Sequence, residues 1–206
     1  MDIASSTCGG ILIVAVYAYR QLQHENPILN LKVFKHVAFT KGTLLVMIDF
    51  GIILSAMYLL PQYIQRGMLV PVALTGIIML PGGIVNATIS GLAGRMFDKY
   101  GAKILATIGF IIAIIGAIML LNVSTHTSVA YIIAAHVILM IGCPLAMSPS
   151  QTHALNSLEI FESADGSTII NTLQQIVGAI ATAMATSLLQ MEITASHGAS
   201  LYARGS

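Results

Sequence analysis

The sequence predicts an all-α fold, a polytopic membrane bundle of about six transmembrane helices, and three observations predict it. Only 8% of the 206 residues are charged while 56% are hydrophobic, and the mean hydropathy is +0.87. A water-soluble domain carries about 25% charged residues, so this chain has too few to coat a water-facing surface. Apolar windows of about the 20 residues needed to cross ~30 Å of hydrocarbon recur along the chain. These windows lack the strict alternation of barrel strands. The formal net charge of +1 argues against a nucleic-acid binder.

Six windows qualify: residues 3–19, 43–63, 72–92, 104–121, 129–147 and 168–189. The first is polar at its start (Ser5, Ser6, Thr7) and reads as the tail of a helix that begins upstream. It has no basic leader, so no cleavable secretory signal is expected. Cys8 and Cys143 each sit inside an apolar run and read as small buried hydrophobes rather than as a disulfide or metal pair.

The connections set the orientation, because short cytoplasmic loops concentrate lysine and arginine. Arg20, Lys32, Lys35 and Lys41 lie between the first two windows, and Arg95, Lys99 and Lys103 between the third and fourth. The opposite connections offer only Arg66. The basic connections are therefore expected on the cytoplasmic side, and 151–164, acidic through Glu159 and Glu162, shares that side. Residues 24–38 predict a short amphipathic helix on the inner leaflet, started by Pro27. At 3.6 residues per turn, Leu31, Phe34 and Ala38 share a face with Val37 beside them, while Lys32, Lys35 and His36 oppose it. The ten residues 94–103 predict a basic hairpin turn with a glycine near each end, Gly94 and Gly101.

Several residues could carry chemistry. Asp49, in Met47-Ile48-Asp49-Phe50, lies about six residues inside the second window, ~9 Å deep. A carboxylate at a helix centre costs about 2.5–3.5 kcal/mol on insertion scales, so such residues face a cavity or partner and often mark ion or proton pathways. Snorkelling, or pairing with Lys41 or a neighbouring helix, is the structural alternative. His136, midway along the fifth window, either satisfies itself on a neighbouring helix or relays protons. No cysteine, histidine or carboxylate lies three or four residues from it, and Cys143 is about 10 Å further along the axis. No metal site and no cofactor are expected.

Helix breakers cluster at membrane depth: Pro81, Gly82 and Gly83 in the third window, Gly142 and Pro144 in the fifth, and Pro149 just past it. They either bend helices around a cavity or allow close helix packing. Asn171, Gln175, Gly178, Thr182 and Thr186 recur at helical spacing in the sixth window. That stripe is expected to face other helices or a wet cavity, since bare amides in lipid are costly. Asp165 is a candidate N-cap for this helix. Eleven methionines suit either core filling or adaptable contacts with varied apolar ligands.

Gly94, Asp98, Lys99, Gly101 and Lys103 form a Gly-x-x-x-Asp-Lys-x-Gly-x-Lys pattern that resembles the cytoplasmic loop motif of the major facilitator superfamily. Asn26-Pro27-Ile28-Leu29-Asn30-Leu31 through Phe34 resembles the linker of its fourteen-helix drug–proton antiporter branch. Tyr58-Leu59-Leu60-Pro61-Gln62-Tyr63 resembles that branch's ending of the next helix, and Ala154-Leu155-Asn156 with 166–179 its penultimate helix region. The resemblance implies a C-terminal-half fragment that lacks the N-terminal half and the final helix. It also implies that Gly94, Arg95, Asp98, Lys99, Gly101 and Lys103 form a gating latch.

On this basis residues 1–39 are expected to form a last linker helix and its amphipathic connection. Residues 40–190 are expected to be the C-terminal transporter bundle, and 191–206 an extracellular loop or an appended tail. The expected function is proton-coupled multidrug efflux by alternating access in a multi-pass cell membrane protein, the bacterial plasma membrane being the expected site. Its partners would be the lipid bilayer, small lipophilic substrates, protons and the missing half. Asp49, Gln62, His136, Asn171 and Gln175 are the candidates for proton coupling or substrate-cavity contact. A transporter of a metabolite, peptide or siderophore, or a non-transporting membrane fragment, is the alternative. An enzyme is not expected: His136 or His153 with Ser148 or Ser150 is too loose a pairing for a serine protease.

Overall fold

The computed structural model describes residues 31–124 and 127–204, with side chains as far as Met191. The window at 3–19, Cys8, and residues 24–30 of the expected amphipathic helix lie outside the described residues. The chain runs through a 3-10 turn (Leu31–Lys35), α1 (Val37–Gln62) ending in a π-helical turn (Tyr63–Gly67), α2 (Val72–Tyr100), α3 (Ala102–Leu121), α4 (Val129–Asn156) and α5 (Ser163–Arg204). All five α-helices are long and apolar enough to cross a membrane, and no strand occurs among the described residues. The fold is the all-α membrane bundle that the composition demands.

Three local expectations are corrected. The surface helix expected to reach residue 38 is, over its described part, a five-residue 3-10 turn. Extended backbone at His36 (φ −75°, ψ 106°) separates it from α1. Three residues per turn replace 3.6, so Val33, not Phe34, points into the core, and Phe34 and Val37 stay exposed. The ten-residue hairpin turn is mostly helix. α2 continues to Tyr100, and Gly101 alone (φ 78°, ψ 161°) joins it to α3. That backbone region is essentially confined to glycine, which explains the residue there. Finally, α5 begins at Ser163, so Asp165 lies inside its first turn rather than capping it. A carboxylate there still complements the positive end of the helix.

Helix α4 is the most buried of the five and touches α1, α2 and α3, while α5 rests mainly on α1. The α3–α4 contact is the closest. Leu105, Gly109, Ala113 and Gly116 form the buried stripe of α3, and Leu139, Gly142 and Ala146 face it from α4. A Cβ added at Gly116 would stand 2.5 Å from the Leu139 amide nitrogen, and one at Gly109 or Gly142 would meet backbone of the opposite helix. Small residues bring two backbones together because dispersion, not hydrophobic burial, drives helix association in lipid. The other face of α3 carries Ile104, Ile108, Ile111, Ile115 and Ile118, all exposed. In water such a stripe would be a liability; against acyl chains it needs no cover.

A second close approach fixes α1 on α4. A Cβ on Gly42 would lie 2.7 Å from the Ala154 Cβ and 2.9 Å from the Ser150 carbonyl oxygen. Val46, Ala154, Ile169 and Ile170 close the core where α1, α4 and α5 meet. Gly109→Val is expected to lower stability by about 1–3 kcal/mol, the usual range for overpacking, in thermal unfolding of the detergent-solubilised chain. Gly83→Ala, where a Cβ meets open space, should leave the transition within about 0.5 kcal/mol of the parent.

Candidate functional site

Asp49 sits in the interior of α1, which starts at Val37. Twelve residues separate the two, ~18 Å along the axis at about 1.5 Å per residue. Its side chain is 0% exposed, and neither carboxylate oxygen has a hydrogen-bond partner. The thiol of Cys143 on α4, also 0% exposed, lies against the carboxyl but outside good hydrogen-bond geometry. Neither snorkelling nor a Lys41 pair accounts for this placement: the carboxyl is sealed inside the bundle. A carboxylate shut away from water without cation or donor costs several kcal/mol.

His136 is also buried, and its ring rests on Gly82 of α2, where a Cβ would overlap it. Its Nδ1 has no hydrogen-bond partner. One turn further along both helices the Asn86 side-chain amide donates to the Met140 sulfur at 3.5 Å. Gly82 thus makes room for an imidazole at the α2–α4 contact. Gly142 serves the α3–α4 contact in the same way, and Pro81, Pro144 and Pro149 lie within continuous helices.

The candidates on α5 separate. Asn171 and Gln175 are exposed on its surface, away from α1. Gly178 packs under Phe50 and Leu54, while the Thr182 and Thr186 hydroxyls donate to the carbonyls of Gly178 (2.8 Å) and Thr182 (2.7 Å). The buried amide is Gln174, only 6% exposed, with an unpartnered side-chain nitrogen. Its phase beside Ile170 and Gly178, one residue off the polar stripe, was the sequence signal that could have marked it. Gln62 is half-buried at the end of α1.

None of the five cavity candidates lines a groove of about 700 Å³ among α1, α3, α4 and α5. Its walls are apolar, with Ser55 and Tyr63 as polar exceptions and Met184 on the α5 side. The side chains of Arg95, Asp98, Lys99 and Lys103 are exposed at the α2–α3 junction. Lys99 Nζ lies 5.2 Å from the centre of the Tyr100 ring. His36 Nε2 and Glu162 Oε2 stand 3.3 Å apart, tying the start of α1 to the approach to α5. No three-residue group of histidine, cysteine or carboxylate that could hold a metal occurs among the described residues.

The Gly82–His136 contact yields a double-mutant test. Gly82→Ala alone should destabilise the chain, and adding His136→Ala should recover part of the loss. The coupling energy is expected to be about 0.5–3 kcal/mol in thermal unfolding, as for side chains in direct contact. Strict additivity would mean that the ring does not rest on Gly82.

Comparison with known proteins agrees with this architecture. A family model described as Major Facilitator Superfamily matches residues 7–182. The chain is 43% identical over 187 residues to a lincomycin resistance protein LmrB of Listeria innocua, covering 91% of this chain and 40% of the relative. It is 42% identical over 180 residues to LmrB of Bacillus subtilis, covering 87% and 38%. It is 24% identical over 181 residues to the multidrug efflux pump LfrA of Mycolicibacterium smegmatis, covering 87% and 36%. The chain therefore spans about 40% of the length of the first curated relatives it matches. No solved structure matches it. Its helices, its glycine-bounded α2–α3 junction and these relatives agree: the chain is part of a multi-pass cell membrane protein and belongs to the Major Facilitator Superfamily.

Proposed function

We propose that this chain is most of the C-terminal bundle of a proton-coupled multidrug efflux transporter, which exports lipophilic and cationic compounds by alternating access. The observation that carries the reading is Asp49, sealed at the α1–α4 contact with no charged partner. An intramembrane carboxyl that is expensive to ionise in one conformation and solvated in another binds a proton in the first and releases it in the second. Two such conformations, exchanged by rocking of two bundles, convert a proton gradient into export of cargo. The names of the relatives, lincomycin resistance and multidrug efflux, supply the cargo class. Such a carrier forms no covalent intermediate, so no enzymatic chemistry is asked of its residues.

The remaining residues take roles consistent with this scheme. Asn171 and Gln175 present amides on the open side of α5, available to cargo or to the other half of the transporter. Gln62 stands at the outer end of α1. His136 is a secondary proton site between α2 and α4. Exposed Arg95, Asp98, Lys99 and Lys103 around the single-residue hinge at Gly101 form the cytoplasmic latch, whose charges engage the partner bundle when that side closes.

The test is drug efflux by the complete transporter reconstituted in liposomes, with and without an imposed pH gradient. Asp49→Asn should abolish the gradient-driven component, and Asp49→Glu should retain part of it. Gradient-driven efflux unchanged in Asp49→Asn would remove Asp49 from the coupling mechanism.

A further inference from the structure

We propose that Cys143 is the positioning residue for Asp49: its thiol lies against the buried carboxyl across the α1–α4 contact and donates to it once either side chain rotates into line. This deepens the proton-coupling reading above and rests on it for its functional meaning, while the contact itself is tested independently of transport. The register of the two antiparallel helices makes the pairing. Gly42 seats on Ser150 and Ala154 at one end, and Ile53 and Ala56 pack on the Leu139–Met140–Cys143 cluster at the other. Asp49 lies between these two anchor points on α1, at the level where Cys143 faces it.

Both side chains are 0% exposed, and both carboxylate oxygens lack an acceptor's usual donors. The Thr43 hydroxyl, another unpartnered buried group on α1, is about 9 Å away along the axis, beyond direct reach. A thiol is a weak donor whose hydrogen rotates freely about the C–S bond. It can stabilise a carboxyl without locking it, as a proton site that must open and close requires. A stronger cationic partner would pin the acid in its charged form; an aliphatic residue would leave it unheld. Gln174 is the competing polar group, since its unpartnered amide sits on the α5 face that meets α1.

Infrared spectroscopy of the full chain in lipid nanodiscs, in a Cys8→Ala background, reads the contact directly. The thiol stretch of Cys143 falls in a window free of other protein bands. It should move toward the free-thiol position in Asp49→Ala and stay near its parent position in Asp49→Asn, which keeps an acceptor. The carboxyl band of Asp49, identified by difference against Asp49→Asn, should shift in Cys143→Ala and return in Cys143→Ser. A thiol band unmoved by Asp49→Ala overturns the proposal. Should Asp49→Ala fail to fold, as judged by circular dichroism, the carboxyl band decides. No shift in Cys143→Ala, or a shift in Gln174→Leu with none in Cys143→Ala, overturns it. Loss of coupling in Asp49→Asn with unmoved bands would sink Cys143 and leave the proton site standing.

Discussion

The bundle depends on α4 lying in close contact with three neighbours at once. Helices in hydrocarbon gain little from hiding apolar side chains, because lipid is as apolar as leucine. What holds them is dense van der Waals contact, and backbones approach that closely only where side chains are small. Gly109, Gly116 and Gly142 supply this between α3 and α4, and Gly42 supplies it between α1 and α4. Remove these approaches and the polar side chains on α1 and α4 lose their enclosure. Asp49 is buried because Gly42 draws α1 onto α4, and His136 is buried because Gly82 gives way beneath it.

The same close packing turns inconvenient groups into candidate devices. Asp49, His136, Thr43 and Gln174 are all buried with unpartnered polar atoms, in a bundle where such atoms are expensive. A protein built only for stability would have replaced them with leucine. Their placement at helix–helix contacts, rather than toward lipid, is what a carrier needs. In the proposed function, a shift of the helices moves these groups from one environment to another and changes their affinity for protons or cargo with it.

The fold class and the apolar middle of each described helix were legible in the sequence because hydrocarbon thickness imposes a length and a composition together; the helix ends, such as α2 running on to Tyr100 and α5 starting at Ser163, were not. Nor were finer features. The windows look uniformly apolar, so nothing in the hydropathy of α3 separates the lipid-facing Ile104–Ile118 stripe from the Leu105–Gly116 stripe that meets α4; only the glycines hinted at it. The loop motif pointed to the family, yet its residues are largely helical, since only Gly101 has to leave helical geometry. Phe34 and Val37 were expected on the apolar face, but a 3-10 turn rotates each residue by about 120° instead of about 100°, and Val33 takes the buried position. Asp49 and His136 were visible as ionisable residues in apolar runs. Cys143, Gly82 and Gln174 were not assigned their contacts, because pairings between helices far apart in the chain leave no trace in local periodicity.

In the proposed mechanism Asp49 gives up its proton when the bundle rearranges around cargo. Proton release on cargo addition tests it most directly, measured with a pH-sensitive dye on the complete transporter in weakly buffered detergent solution. The parent should release protons when cargo binds, and Asp49→Asn should release none while still binding the same compound. Equal proton release from the two proteins would contradict it.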